Sequence, residues 1–157
     1  MRVLRTFLII LPFVFVSCRT ESQYDPVTIF DPNRDPYQDL QHATIEAQRT
    51  ERYILLDVGG EWCIWCKKLD TFFNENADIK TFLQANYVAM KVNYSPENKN
   101  EKFLAQFPKI AGYPHFFVLN EQGQLIHSQE TGSLESGDHH DRDKVLAFLK
   151  KWIPSRE

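Results

Sequence analysis

Apolar positions along the 157-residue chain follow two spacings, and the order of these spacings predicts the fold. Short apolar runs, two of them around a Gly-containing turn, are typical of strands, and they occupy residues 53–58, 87–94, 115–119 and 124–128. Helical spacing of apolar residues covers residues 37–52, 63–76, 78–85, 96–107 and 141–152. This order indicates one α/β domain, in which helices flank a central mixed β-sheet.

The stretch before the predicted domain is polar and is interrupted by prolines. Residues 18–36 contain three prolines, so we predict a tether there, followed by the domain at 37–154. An apolar patch at 27–30 leaves a second alternative, in which this patch docks on the domain as an extra edge strand.

Residues 1–17 have the pattern of a secretory signal peptide. Two arginines precede an apolar run at 7–16, which is far shorter than the roughly 20 residues that a membrane-spanning helix needs. The run ends in Phe-Val-Ser-Cys, which resembles a bacterial lipobox with Phe15 in place of the usual Leu. We predict that Cys18 receives lipid and becomes the mature N-terminus. Ordinary secretion, with Cys18 lost or left free, is the alternative.

Two cysteines, Cys63 and Cys66, directly follow the apolar run at 53–58. Two thiols at this spacing on the first turn of a helix can close into a disulfide, and the helix N-terminus stabilises a thiolate on the first of them. We predict that Cys63 attacks a substrate disulfide and that Cys66 resolves the mixed disulfide. An inert structural disulfide is the alternative.

Four features occur along the chain in a particular order: an Asp on the strand before the cysteines, the two cysteines, a Lys on the next strand, and a Pro before the hairpin. In this sequence they are Asp57, Cys63 with Cys66, Lys91 and Pro114. Together they resemble the active site of the thioredoxin family, and the form Cys-Ile-Trp-Cys-Lys-Lys-Leu is similar to its exported bacterial branch. The resemblance spans the whole predicted domain and implies a thioredoxin-like fold.

The resemblance also implies roles for two charged residues. Asp57 would take the proton from Cys66 when that thiol must become a thiolate. A carboxyl group within an apolar strand is costly unless it is paired or neutral, so we expect burial to raise the pKa of Asp57. Lys91, on the adjacent strand, is the expected partner of its charge, and a surface lysine at a strand end is the alternative.

Further residues are expected around the cysteines. The resemblance implies a cis bond between Tyr113 and Pro114, which would leave the Tyr113 backbone free to pair with an extended substrate. Trp62, which could instead belong to the core, and Trp65 are expected to contact substrate. His115 either tunes the thiolate or is a structural residue of the strand, and the second alternative is favoured.

Composition and charge exclude several other functions. The formal net charge is −3 and no basic stripe is present, which argues against nucleic-acid binding. Zinc at the two cysteines would need two further ligands, and the clustered candidates, His139 and His140, lie in the polar stretch 136–141, which we predict to be a solvated loop. We therefore predict neither a metal nor a cofactor.

These observations favour a thiol–disulfide oxidoreductase of the bacterial cell envelope, periplasmic and anchored to a membrane through lipid. Two kinds of partner are expected. One is the exported proteins whose disulfides it exchanges, and the other is a transmembrane protein that donates electrons through its thiols. Ile64 and Trp65 stand where cytosolic thioredoxins have Gly and Pro, and Gly59 stands where they have Trp, so the direction of exchange stays open. Reduction is favoured, and the alternatives are a disulfide oxidase or isomerase and a metal-binding or assembly module without catalysis.

Overall fold

The structure is a computed structural model that describes residues 24–154. Its elements, in chain order, are the helices and strands that follow. They are α1 (Pro36–Thr50), β1 (Tyr53–Gly59), α2 (Ile64–Glu75), α3 (Ala77–Asn86), β2 (Tyr87–Asn93), α4 (Glu101–Leu104), β3 (His115–Leu119), β4 (Leu125–Glu130), a 3-10 helix (Thr131–Leu134), β5 (Glu135–Ser136), β6 (His139–His140) and α5 (Arg142–Lys151).

Four of the strands form a mixed sheet in the order β2-β1-β3-β4. Strand β1 pairs parallel with β2 and antiparallel with β3, and β3 pairs antiparallel with β4. The register places Asp57 on β1 directly opposite Lys91 on β2. The predicted mixed sheet flanked by helices is therefore confirmed, and it brings two charged residues together within its centre.

Side chains alternate between the two faces of the sheet, and each face carries a buried apolar cluster. On β1, Ile54, Leu56 and Val58 pack with Ala43 and Ala47 of α1. Leu55 points to the opposite face and packs with residues of α2, α3 and α5, among them Leu69, Ile79, Leu83, Val145 and Leu149. Asp57 lies on this second face, so its carboxyl group points toward the helix that begins at the cysteines.

The predicted helix at 96–107 is wrong in extent, because the structure has a helix only at Glu101–Leu104. Asparagine side chains form hydrogen bonds with backbone groups of the segment before α4, and these bonds compete with a helix there. Asn98 Oδ1 accepts from Asn100 N at 3.0 Å, and Asn100 Nδ2 donates to the Asn93 carbonyl at 2.8 Å. Asn100 also has a φ of 48°, which breaks the helical path just before α4.

The segment before α1 packs against the domain. Val27 and Phe30 are buried, and Lys91 N on the edge strand β2 donates to the Val27 carbonyl at 3.0 Å. Residues 27–30 thus dock beside β2, as in the second alternative for this stretch, although they do not form a regular strand. The predicted signal peptide at 1–17 and Cys18 lie outside the described residues.

The polar stretch 136–141 is exposed at 136–139, as predicted, but it is a hairpin and not a loop, and one of its residues is buried. Strands β5 and β6 pair as a small antiparallel hairpin, and His140 is only 3% exposed. Its ring is buried because it packs edge-on against Trp65, with 5.6 Å between ring centroids, whereas the neighbouring His139 is exposed.

Candidate active site

The two cysteines lie where β1 gives way to α2. Cys63 is the N-cap of α2, and its Sγ accepts a hydrogen bond from Cys66 N at 3.0 Å. The two sulfur atoms are joined as a disulfide, with 5.2 Å between the Cα atoms. Both residues are buried. This placement gives Cys63 the amide groups and the positive end of the helix, which stabilise a thiolate there after reduction.

Gly59, the last residue of β1, allows the Cys66 sulfur to approach the strand. A Cβ atom at Gly59 would lie 2.5 Å from Cys66 Sγ and 3.1 Å from Phe30 Cζ. Real Cβ atoms do not approach sulfur this closely, so any larger residue would displace Cys66. The absence of a side chain at Gly59 therefore permits the observed position of the Cys66 sulfur.

An ion cluster lies on the same face of the sheet, with Lys91 and Asp57 largely buried and Asp70 half-exposed. Lys91 Nζ is 3.0 Å from Asp57 Oδ2 and 2.7 Å from Asp70 Oδ1. Lys91 is 11% exposed, so it lies beneath the surface, unlike the surface lysine of the alternative prediction. Asp70 was not predicted from sequence, although its position one helical turn after Cys66 places it on the same side of α2.

The environment of this cluster shifts two pKa values. Burial raises the pKa of Asp57, and the positive charge of Lys91 opposes this shift only in part. Burial alone would lower the pKa of Lys91, but the Asp57 and Asp70 carboxylates outweigh it and the pKa is raised. Lys91 therefore stays charged, whereas Asp57 accepts a proton at higher pH than an ordinary carboxyl group does. Its second oxygen, Oδ1, is buried without a hydrogen-bond partner among the described residues.

Aromatic rings form one wall of the site. The Trp62 ring is 54% exposed, its Nε1 donates to the Tyr94 carbonyl at 2.6 Å, and it meets Tyr113 edge-on at 5.7 Å. Tyr113 in turn stacks on Tyr94 at 4.7 Å. The Tyr113–Pro114 peptide bond is cis, as the resemblance implied. Trp62 is thus a surface residue held in place by its ring nitrogen, and Tyr94 is a member of this wall that was not predicted from sequence.

Trp65 is held on the other side by one residue that is distant in sequence and by one on the next turn of its own helix. Its ring meets His140 of β6, and Lys68 Nζ lies 4.3 Å from its centroid. His140 also contacts Phe72, and neither of its ring nitrogens has a hydrogen-bond partner among the described residues. Burial, helped by the positive charge of Lys68, lowers the pKa of His140 to about 4. His140 is therefore a neutral packing residue beneath the active-site helix.

His115 pairs with the neighbouring strand. Its Nε2 lies 2.8 Å from Ser128 Oγ, and its ring packs on Phe117 at 4.7 Å. Burial lowers its pKa. These contacts describe the structural histidine that the sequence favoured.

The fold thus gathers most of the predicted site residues around the disulfide. Phe30, Cys63 and Cys66 form a buried cluster against which Trp65 and Tyr113 pack. Within residues 24–154 no three His, Cys, Asp or Glu side chains come together in a way that could hold a metal ion.

Comparison with known proteins gives matches over most of the chain. A family described as a thioredoxin-like domain matches residues 40–141. A thiol:disulfide interchange protein DsbD from Pseudomonas sp. (strain JR1 / K1) is 24% identical over 147 residues, which cover 92% of this chain and 24% of that protein. A disulfide bond reductase DsbH from Chlamydia pneumoniae is 27% identical over 80 residues, which cover 46% of this chain and 48% of that protein. The chain therefore spans less than half the length of either relative.

Solved structures agree in fold. A structure described as a disulphide isomerase from Xylella fastidiosa Temecula1 superposes with a TM-score of 0.67 at 20% identity, covering 78% of this chain and 94% of its own. At this identity the likeness shows the fold alone.

We expect the buried, neutral His140 to make stability depend on pH. Its pKa of about 4 in the folded chain lies below the ordinary value of 6.5, so the unfolded chain binds more protons between these values. Lowering the pH from 7 to 4 should therefore reduce the free energy of unfolding, with a contribution from His140 of about 3 kcal/mol. Urea unfolding at several pH values should show a smaller decrease in His140→Leu than in the wild type. The variant His42→Gln, at an exposed position of α1, should match the wild type. A His140→Leu variant with the wild-type pH dependence would contradict this account.

Proposed function

Since this chain belongs to the thioredoxin-like family and has the dithiol pair of a thiol–disulfide oxidoreductase, we propose that it reduces disulfides in exported proteins. The observation that carries the proposal is the Cys63–Cys66 disulfide at the N-terminus of α2, beside the buried Asp57. An inert disulfide would need neither a helix N-terminus beneath its first sulfur nor a buried proton acceptor on the same face of the sheet.

The reaction begins with the reduced pair. The Cys63 thiolate attacks one sulfur of a substrate disulfide, forms a mixed disulfide, and releases the first substrate thiolate, which takes up a proton. The Cys66 thiolate then attacks Cys63 Sγ, closes the Cys63–Cys66 disulfide, and releases the second substrate thiolate, which also takes up a proton. Two electrons pass to the substrate, and an external dithiol must reduce the pair again.

Asp57 has the role of proton acceptor in the second step. The Cys66 thiol is buried and must lose its proton before it can attack. Asp57 lies on the same face of the sheet, and the raised pKa makes its carboxylate a better base near neutral pH than an ordinary carboxylate. Lys91 supports this role because it holds the carboxylate in place with a direct ion pair.

The apolar residues around the disulfide bind the substrate in this proposal. Trp62 and Ile64 are 54% and 63% exposed, which gives the site an apolar surface at its entrance. Trp65, Tyr113 and the cis Pro114 complete its rim, where an extended segment of a partly unfolded substrate can lie across the cysteines.

One relative is named a disulfide bond reductase, and this name supports the proposed reduction. The other relative is named a thiol:disulfide interchange protein, and this name gives no direction. We propose that a transmembrane thiol donor returns electrons to the Cys63–Cys66 pair. A disulfide oxidase or isomerase would use the same residues, and the measured reduction potential separates these functions, because known family members range from about −270 to about −120 mV.

We propose that the protein acts at the bacterial envelope, on the periplasmic side, held there by lipid on Cys18. The signal-like residues 1–17 and the lipobox-like sequence support this location. Among residues 24–154, no helix has the length and apolar character to cross a membrane.

Replacement of Cys66 by Ser should convert the protein into a trap for its substrates. Cys63 can still attack, but no thiol within reach can resolve the mixed disulfide, so adducts should accumulate at least about tenfold over those of Cys63→Ser. Non-reducing gels of cell extracts, followed by mass spectrometry of the reducible bands, provide the measurement. If neither variant traps a protein while the wild type cycles between redox states in cells, the protein does not exchange disulfides with protein substrates. The alternative function, a module that binds a ligand without catalysis, would then be favoured.

Replacement of Asp57 by Asn should slow the second step at neutral pH by about tenfold or more, because Cys66 loses its proton acceptor. In the wild type the rate of resolution should rise as the pH passes through the raised pKa of Asp57, and this rise should be absent in Asp57→Asn. Stopped-flow fluorescence of Trp62 and Trp65 in a single turnover with a model disulfide can follow the step.

The matched control for this experiment is Asp70→Asn. It removes the other carboxylate that binds Lys91 and leaves the proposed base in place. Equal pH profiles for the wild type and Asp57→Asn would reduce Asp57 to a structural role.

Lipid attachment should place the full-length protein in the detergent phase of a Triton X-114 partition. Cys18→Ala should move it to the aqueous phase or leave the precursor unprocessed, because the thiol that would carry the lipid is lost. A full-length protein that stays in the aqueous phase with Cys18 intact would contradict the proposed lipid anchor.

A further inference from the structure

Phe30, in the segment that precedes α1, lies within the candidate active site. Its side chain is 4% exposed and belongs to the same buried cluster as Cys63 and Cys66. A Cβ atom placed on the Gly59 backbone would lie 3.1 Å from Phe30 Cζ and 2.5 Å from Cys66 Sγ. The ring therefore occupies the space immediately beside the second sulfur.

The same ring contacts the ion cluster. Lys91 Nζ lies 4.0 Å from the centroid of the Phe30 ring, in the geometry of a cation–π interaction. The ammonium group thus contacts Asp57, Asp70 and the ring at once. Phe30 therefore packs with the cysteine pair and also contacts Lys91, the residue that binds Asp57.

The segment that carries Phe30 is fixed to the domain at several points. Lys91 N donates to the Val27 carbonyl at 3.0 Å, and Asn98 Nδ2 donates to the Pro32 carbonyl at 2.8 Å. Further along, Arg34 Nε donates to Asp39 at 2.8 Å. These contacts on both sides of Phe30 hold its ring in one place.

Water can reach the ion cluster from one side. A cleft of about 320 Å³ is lined by Thr28, Asp57, Asp70 and Lys91, with other residues of β2 and α2. Cys66 and Phe30 are not among its lining residues. The Asp57 carboxylate can thus exchange protons with solvent through this cleft, whereas the Cys66 sulfur does not line it.

We propose that Phe30 is a positioning residue that limits the access of bulk water and small reagents to the Cys66 sulfur and leaves proton transfer to Asp57 as the route by which the Cys66 thiol is deprotonated. Truncation of the ring would leave a cavity that borders Lys91 Nζ, which also binds the Asp57 and Asp70 carboxylates. A cavity with such polar partners fills with water, unlike an apolar one. The inference deepens the proposed function, because it concerns the resolving thiol of that reaction.

The test measures how readily small reagents reach Cys66 when no substrate is present. The full-length chain carries Cys63→Ser, so that Cys66 is a free thiol, and iodoacetamide labelling of the Cys66 peptide is followed by mass spectrometry. This readout also excludes labelling at Cys18. The series Phe30→Leu, Phe30→Val and Phe30→Ala removes the ring in steps, so the milder variants serve if the alanine variant fails to fold.

We expect the labelling rate to rise along the series, by about threefold or less for Phe30→Leu and by at least about tenfold for Phe30→Ala, since thiol reactivity depends on access. Two control variants should label at the unchanged rate. Ile29→Ala alters the neighbouring residue, which is 62% exposed, and Val145→Ala removes core volume in α5 without contact to the cysteines.

A flat series would overturn the proposal, and so would an equal rise in Val145→Ala, because reactivity would then follow stability alone. The outcome is independent of disulfide exchange, since labelling needs no substrate. A rising series together with a failed substrate trap would keep the shielding role and discard the enzymatic function.

Discussion

The active site depends on one buried positive charge, the ammonium group of Lys91. It contacts Asp57 on the neighbouring strand, Asp70 on the helix of the cysteines and the ring of Phe30 in the N-terminal segment. Removing one partner of a buried ion pair is strongly destabilising, at roughly 3–5 kcal/mol, so the pairing of Lys91 with the largely buried Asp57 constrains β1 and β2 together. Asp70 is half-exposed, and its pairing contributes less. The parallel register of β1 and β2 makes this arrangement possible, because it places residues 57 and 91 opposite each other.

The disulfide lies between two aromatic groups that are held in different ways. On one side Trp62 is largely exposed, and its ring nitrogen and the edge of Tyr113 hold it. On the other side Trp65 packs on the buried His140, which belongs to the small hairpin before α5. In the proposed function the exposed side is the one that meets a substrate, whereas the packed side supports the first turn of α2.

The segment before α1 has two structural effects at once. Its Val27 carbonyl accepts a hydrogen bond from β2, which covers part of an edge strand that could otherwise pair with another chain. Its Phe30 side chain fills the space that Gly59 leaves open beside Cys66. The same short stretch thus protects the sheet and completes the site, and in the proposed mature protein it lies a few residues after the lipid-bearing Cys18.

Local pattern and motif determined much of this protein. The four strands of the sheet, most helices and the position of the cysteines at a strand-to-helix junction were predicted, because apolar spacing and capping act over a few residues. The predictions of a cis bond before Pro114 and of an Asp57–Lys91 pair came from a family resemblance, and the structure contains both features. The tertiary structure alone decided that Phe30 lies beside Cys66, that His140 lies beneath Trp65, and that asparagine side chains restrict α4 to Glu101–Leu104. These features depend on contacts between residues far apart in the chain, and no periodic pattern records which distant side chain will fill a given space.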